Sequence, residues 1–437
     1  MKFELLHPAD QLVLIMNRIY QGGMTTTSGG NLSILDENGD IWITPSGVDK
    51  GTLTRSDMCR VTPEGEIIGP HKPSVELPIH GSIYKCRPDL RAVLHAHPPS
   101  LVAFSLARVL PNTRLVANAY RTLGNISMAP YAVPGSKKLG DNIAMEFEKG
   151  LDIVVMENHG VVIGAEDLFR AFMKFETLEL TASLEINARK LGVPVGISES
   201  EINLTATRDH LIMDEYLPNK HSSEECEARR DMIKLIHRSY SQKLFGSTQG
   251  TYSVRLSDGS FLVTPYGADR AYLQEVDLVL IKNDMKEQGK IPSRSVSLHK
   301  KIYERHPGIR SILGANPTHA MAFAVTDTQL DPRTIPESYI MLRSIQKVPF
   351  CSVYLKHDEI AGMFSPKTPV VICSNNQIIT TGESLLTAFD RLEVIEATAH
   401  SIIAALGIGK LARISDDEVA EIDKAFKLDA AYAKQDA

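Results

Sequence analysis

Two periods of apolar spacing run through this chain. From Pro8 to Gly22 the apolar positions Leu12, Ile15, Met16 and Ile19 recur at helical spacing, which predicts an amphipathic helix closed by Gly22-Gly23. A polar, glycine-rich run from Thr25 to Asn31 leads into Leu32-Ser33-Ile34-Leu35. A turn at Glu37-Asn38-Gly39-Asp40 then precedes the strand Ile41-Trp42-Ile43 and the loop Thr44-Pro45-Ser46-Gly47. Pro73-Ser74-Val75-Glu76 opens a helix that ends before Pro88. The apolar run Ala92-Val93-Leu94 enters His95-Ala96-His97, where Pro98-Pro99 stops the strand. A strand around Ile126 to Ala132, a helix from Ser136 to Lys149 and a buried strand from Asp152 to Met156 follow. The last ends in Glu157-Asn158-His159-Gly160, ahead of a long helix from Glu166 to Lys190. Strands and helices mix throughout, so the class is α/β or α+β.

The composition turns polar from about Gly192 to Cys226, and then the pattern restarts. Thr264-Pro265-Tyr266-Gly267 stands 220 residues after Thr44-Pro45-Ser46-Gly47. Ser293 lies 219 after Ser74, and Pro317 lies 219 after Pro98. The chain is therefore a tandem duplication of one domain of about 200 residues. The expected division is 1-200 for a first domain, 201-225 for a linker and 226-437 for a second, degenerate domain.

Side chains alternate faces along a strand, so His95 and His97 point the same way from its end, as half of a divalent-metal site would. His159 places a third imidazole at a strand terminus. Glu76 shares a helical face with His80 four residues on. Two loops of small residues, one around Gly30 and Asn31 and one at Ser46 and Gly47, suit an anion-cradling nest. The repeat supplies an internal control. Where the first copy has Glu76, His95, His97 and His159, the second has Ser295, Gly314, Asn316 and Asn376. All four candidates are lost together inside a persisting apolar frame, which marks them as one unit. His80 reappears as His299 although Glu76 does not, which favours a structural role for it.

These motifs, GGNLS, TPSG, PSVE, HAH and ENHG in this order and spacing, resemble the class II aldolase/adducin family, of which fuculose-phosphate aldolase is a representative. The resemblance implies two tandem three-layer α/β/α domains, each around a mainly antiparallel sheet. It implies one divalent ion per chain, of zinc type, held by His95, His97 and His159, with Glu76 as fourth ligand and proton carrier. It also implies phosphate-binding positions at Gly30, Asn31, Ser46, Gly47 and Ser74. The chemistry so implied is lyase chemistry: retro-aldol cleavage of a small sugar phosphate or related hydroxy-carbonyl compound, leaving an enediolate that the ion stabilises. Dehydration or decarboxylation of a sugar acid phosphate is the alternative at the same site, and a non-catalytic adducin-like interaction protein is the reading from another class. Imidazole and carboxylate ligands suit zinc and also accept cobalt, nickel or manganese.

Three positions depart from the family pattern. Val75 replaces a second serine, removing one hydroxyl donor to a phosphate. No tyrosine stands near Leu115 or Val116, Tyr120 being the nearest phenol. The aspartate that related epimerases use falls at about Asn125, whose amide cannot take up a proton, so epimerisation is disfavoured. The family's active sites lie between neighbouring subunits, which implies a homo-oligomer: two chains forming a four-domain ring, or a larger assembly.

Bulk composition narrows the setting. A net charge of -6 over 437 residues makes no case for nucleic acid or an anionic membrane as partner. The five cysteines are scattered and odd in number, which points to a reducing, cytoplasmic setting. No run approaches the ~20 apolar residues of a membrane span.

Overall fold

The computed structural model describes residues 3–206 and 212–428. These residues fall into two compact units that part between Ser183 and Leu184, with Arg114–Ala117 grouped with the second.

The first unit is built on an eight-stranded sheet. Its strands are β1 (Asn31–Leu35), β2 (Ile41–Ile43), β3 (Cys59–Val61), β4 (Ile67–Ile68), β5 (Ala92–Ala96), β6 (Ser127–Ala129), β7 (Ile153–Met156) and β8 (Val161–Ala165). They lie in the order β4-β3-β2-β1-β5-β8-β7-β6. Only β6 and β7 run parallel, and every other pair is antiparallel. The helices are α1 (Pro8–Gln21), α2 (Leu77–Cys86), α3 (Pro99–Ala107), α4 (Ala117–Leu123), α5 (Lys137–Glu148) and α6 (Leu168–Leu191).

Alternation along the strands assigns the helices to faces. Val93, Val154, Met156 and Val162 pack with Ile79, Ile83 and Tyr84 of α2 and with Leu139, Ile143 and Phe147 of α5. His95 shares the face of Val93, two residues on, and so emerges beside the start of α2. On the other face α1 packs on β1 and β2 through Leu12, Ile15, Met16 and Ile19, all fully buried. Arg18 of α1 lies 4.4 Å over the Phe172 ring of α6. The three-layer arrangement is thus present.

The second unit repeats the plan. Its strands are β9 (Glu215–Tyr216), β10 (Thr251–Arg255), β11 (Phe261–Val263), β12 (Val279–Lys282), β13 (Met285–Glu287), β14 (Ser311–Ala315), β15 (Ile345–Val348), β16 (Val370–Cys373) and β17 (Gln377–Gly382). Their order is β15-β16-β17-β14-β10-β11-β12-β13-β9. Read from the far end and without β9, this is the order of the first sheet. The helix Val296–Arg305 takes the place of α2, burying Leu298, Ile302 and Tyr303 against Val263, Ile281, Ile312 and Ile379.

The compact units divide inside the 24-residue α6, between Ser183 and Leu184, where the sequence reading sets the end of the first domain at 200. Of the expected linker 201-225, residues 207–211 lie outside the described residues. The remainder is partly structured: β9 adds a parallel edge strand through Glu215↔Lys286 and Tyr216↔Glu287, and Ser222 caps a helix that begins at Ser223.

Candidate metal centre

One strand end and one hairpin bring the histidines together. His95 is the penultimate residue of β5, and His97 follows the strand end directly. β8 pairs with β5 through Ala96↔Val161, so the β7–β8 hairpin carries His159 to the same end of the sheet. That hairpin needs glycine at 160: a Cβ there would lie 2.5 Å from the Ala96 carbonyl oxygen and 2.7 Å from the His97 ring. The ring centroids are 4.6 Å apart for His95 and His97, 4.9 Å for His95 and His159 and 5.0 Å for His97 and His159. One nitrogen from each falls within 4.8 Å of the others, the single such cluster among the described residues.

Glu76 occupies the N-cap position of α2 and is 6% exposed. Its Oε2 lies 3.2 Å from His95 Nε2, and its Oε1 lies 3.8 Å from His159 Nε2. Asn31, paired with His95 across β1 and β5, donates its amide N–H to Glu76 Oε2 at 2.7 Å. The Asn31 Oδ1 accepts from His80 Nε2 at 2.5 Å, and His80 Nδ1 lies 2.6 Å from Ser33 Oγ, itself 2.6 Å from the Tyr84 hydroxyl. One direction satisfies every link. Tyr84 donates to Ser33, Ser33 to the lone pair of neutral His80, His80 to Asn31 and Asn31 to the carboxylate. Burial drives His80 down to about 3, which keeps it neutral. Burial pushes the Glu76 carboxyl up, but His95, the Asn31 bond, His159 and His80 outweigh it and hold the group below its usual range. Burial, with the neighbouring imidazoles, takes His97 down to about 3 and His159 to about 4.

The donor set fits a cation. His95 Nδ1 lies 2.9 Å from the Val161 carbonyl, which can only accept, so Nδ1 carries a proton and Nε2 is the nitrogen turned to Glu76 Oε2, 3.2 Å away. Glu76 Oε1, His95 Nε2, His97 Nε2 and His159 Nδ1 are all buried without a hydrogen-bond partner. Three imidazoles and one carboxylate are the ligand chemistry of a catalytic divalent ion.

The loop residues take varied positions. Gly30 is buried at φ +72, where a Cβ would meet the His95 carbonyl oxygen at 2.8 Å. Asn31 is turned towards Glu76 and His80. Ser74 is 8% exposed, and its Oγ accepts from the Glu76 N–H at 3.3 Å. Ser46 is half-buried, and Gly47 is exposed at φ +71 with open space around its Cα. Sequence reasoning missed Ser33, Tyr84 and Lys50. Lys50 is 3% exposed and donates to the Pro45 carbonyl at 2.5 Å beneath the second loop. The signal for the first two was present: Ser253, His299 and Tyr303 repeat Ser33, His80 and Tyr84, with Ser253 Oγ at 2.8 Å from His299 and 2.7 Å from Tyr303.

In the second unit the corresponding space is filled. Gln377 stands where Gly160 stood, and a Cβ on Gly314 would lie 2.5 Å from its Oε1. Phe245, 1% exposed, closes over Gly250, the counterpart of Gly30. Asn316 bonds the Asn376 carbonyl, and Asn376 donates to the Tyr354 hydroxyl at 3.1 Å.

The sequence profile described as "Class II Aldolase and Adducin N-terminal domain" matches residues 10–186 and again 230–403. The chain belongs to the class II aldolase/adducin family. It is 34% identical over 179 residues to an L-fuculose phosphate aldolase of Methanococcus maripaludis, covering 40% of this chain and 93% of that protein. It is 32% identical over 205 residues to the 5-deoxy-D-ribulose 1-phosphate aldolase of Bacillus thuringiensis, covering 46% and 93%. A 3-oxo-tetronate 4-phosphate decarboxylase of Escherichia coli (strain K12) is 31% identical over 179 residues, covering 40% and 84%. A solved structure of an L-fuculose 1-phosphate aldolase, 30% identical, aligns with a TM-score of 0.42 over 46% of this chain and 94% of that one. These relatives of the class II aldolase family are carbon–carbon lyases, each matched by about one copy of this chain. No helix among the described residues is long and apolar enough to cross a membrane.

Proposed function

We propose that this family member is a metal-dependent lyase that cleaves a small sugar phosphate by retro-aldol chemistry in its first copy. The observation that carries the reading is the convergence of the His95, His97 and His159 imidazoles, one nitrogen of each within 4.8 Å of the others, with the Glu76 carboxylate 3.2 Å from His95 and 3.8 Å from His159. A divalent ion of zinc type, held by those residues, would supply the positive charge that polarises a carbonyl and accepts developing negative charge. Glu76 holds or moves the proton at Oε1, the oxygen that Asn31 leaves unengaged. The Tyr84–Ser33–His80–Asn31 chain fixes Oε2 and thereby aims Oε1 at the site. Gly30, Ser46, Gly47 and Ser74 orient the phosphate end, which contributes through positioning. Asn31 serves both the carboxylate and the adjoining loop.

Decarboxylation of a 3-oxo sugar acid phosphate is the second reading, favoured by the similarity to the Escherichia coli decarboxylase. The two are separated by assaying aldehyde release from phosphorylated ketoses beside carbon dioxide release from phosphorylated 3-oxo acids. Metal analysis tests both: purified protein that neither contains nor is stabilised by zinc, cobalt, nickel or manganese would falsify the lyase assignment. Two chains assembling a four-domain ring in the cytoplasm complete the proposal, and light scattering that finds a fully active monomer removes the ring.

A further inference from the structure

In the first copy a carboxylate of α6 closes the N-terminus of α3: the Ser100 and Leu101 N–H groups donate to Glu179, each at 3.0 Å. The second copy keeps this device. The His319 and Ala320 N–H groups of the helix Thr318–Ala324 donate to Glu396 of the helix Leu385–Ala405, at 3.2 Å and 2.8 Å. What differs is the pair of side chains around it. Where the first copy has Ser100 and Ser183, the second has His319 and His400, 219 and 217 residues on.

The two imidazoles meet. Their ring centroids are 4.0 Å apart at an interplanar angle of 21°, a stacked pair like His97 and His159, which lie 5.0 Å apart at 28°. His319 Nδ1 lies 2.7 Å from Glu396 Oε1. A carboxylate oxygen accepts, so Nδ1 carries a proton and Nε2 is the nitrogen left for a ligand. A carboxylate that holds one ring nitrogen in this way orients the other for a metal and raises its basicity. His400 is exposed and makes no hydrogen bond among the described residues, so its ring can turn a nitrogen towards the same ion. Glu393, three residues before Glu396, adds a second carboxylate to that face of the helix and so favours a cation there.

We propose that His319 and His400 form a second metal site, for an exchangeable late first-row dication such as zinc, nickel or copper. Imidazole nitrogens are ligands that these ions take, with copper bound most tightly. Two imidazoles and water hold an ion less firmly than the four groups of Glu76, His95, His97 and His159, so desalting removes it. Bound, it ties the helix Thr318–Ala324 to the helix Leu385–Ala405. The proposal goes beyond the lyase reading and stands on side chains that the first copy lacks.

Isothermal titration of the zinc-loaded, desalted full chain with nickel chloride tests it, and metal analysis afterwards checks that the zinc has stayed. A nickel binding event is expected. His319→Ser and His400→Ser, which restore the first copy's residues, should each weaken it by roughly tenfold or more. Circular dichroism checks that each variant is folded. Should a serine variant fail to fold, diethyl pyrocarbonate labelling of the wild-type chain, read by peptide mass, decides in its place. Nickel is expected to slow the modification of His400, and equal rates with and without nickel overturn the proposal. So does the absence of a nickel event, and so does an event that both serine variants leave intact. A chain that takes up no zinc counts against the lyase reading and leaves the nickel titration to be read unchanged.

Discussion

Asn31 donates to Glu76 Oε2 at 2.7 Å while its own oxygen accepts from His80 at 2.5 Å. One buried amide thus ties the carboxylate of the site to the interior of the fold. Glu76→Gln should therefore leave the ion bound through three imidazoles while removing proton transfer. Turnover is expected to fall about 10²- to 10⁴-fold with metal content near one per chain. Metal analysis beside the aldehyde-release assay reads both, and an unchanged rate would exclude Glu76 as proton carrier.

The deep half of that hydrogen-bond chain occurs in both copies, and only the first joins it to a carboxylate. His80→Ala and His299→Ala each empty a buried site and strand hydroxyls, so each should destabilise by about 2–4 kcal/mol. Only His80→Ala should also slow turnover. Urea unfolding followed by the same assay distinguishes a shared structural role from a first-copy role, and equal losses of activity would count against the chain as an aiming device.

The imidazoles give the metal-free protein a defined acid sensitivity. His80 and His97, held down to about 3, and His159, held to about 4, bind fewer protons folded than unfolded. Stability is then complete above the unfolded value near 6.5 and falls as pH drops from there towards 4. The chelated protein should unfold at lower urea at pH 5 than at pH 7.5, and bound zinc should raise the midpoint at pH 7.5. Zinc at about 100 times its Kd contributes about 2.7 kcal/mol. A midpoint independent of both pH and zinc contradicts the picture.

Returning the four ligands to the second copy should fail. Ser295→Glu, Gly314→His, Asn316→His and Asn376→His put an imidazole at 314 into the volume Gln377 occupies. The quadruple variant is expected to bind one ion per chain. Adding Gln377→Gly and Phe245→Thr reopens the space, and a second ion should then appear. Two ions in the quadruple variant would show that the side chains move aside freely.

Much of this was legible in the amino-acid sequence because the informative residues sit at strand ends, where spacing fixes direction. His95 and His97 two apart, the His159 hairpin and the lost set at Ser295, Gly314, Asn316 and Asn376 needed no coordinates. What escaped depends on contacts distant in sequence. The amide of Asn31 was expected at the loop, and its pull towards Glu76 follows from the β1–β5 register that sets it opposite His95. Gln377 filling the space beside Gly314 reverses the His95 and Gly160 pair across a strand boundary, a swap visible only once β14 and β17 are seen to be neighbours. The strand at Glu215–Tyr216 is too short and polar for a periodic signal, and its partner at Lys286 creates it.

That strand changes which sheet edge stays open. β9 covers β13 in the second sheet, whereas β4 ends the first with Ile67 52% and Ile68 38% exposed. An uncovered apolar edge is a template for strand addition by another chain, and here its two-residue length and the flanking Glu64 and Glu66 are what blunt it. Strand addition to the first sheet is therefore expected at the Ile67–Ile68 edge, on the copy that holds the three-histidine cluster.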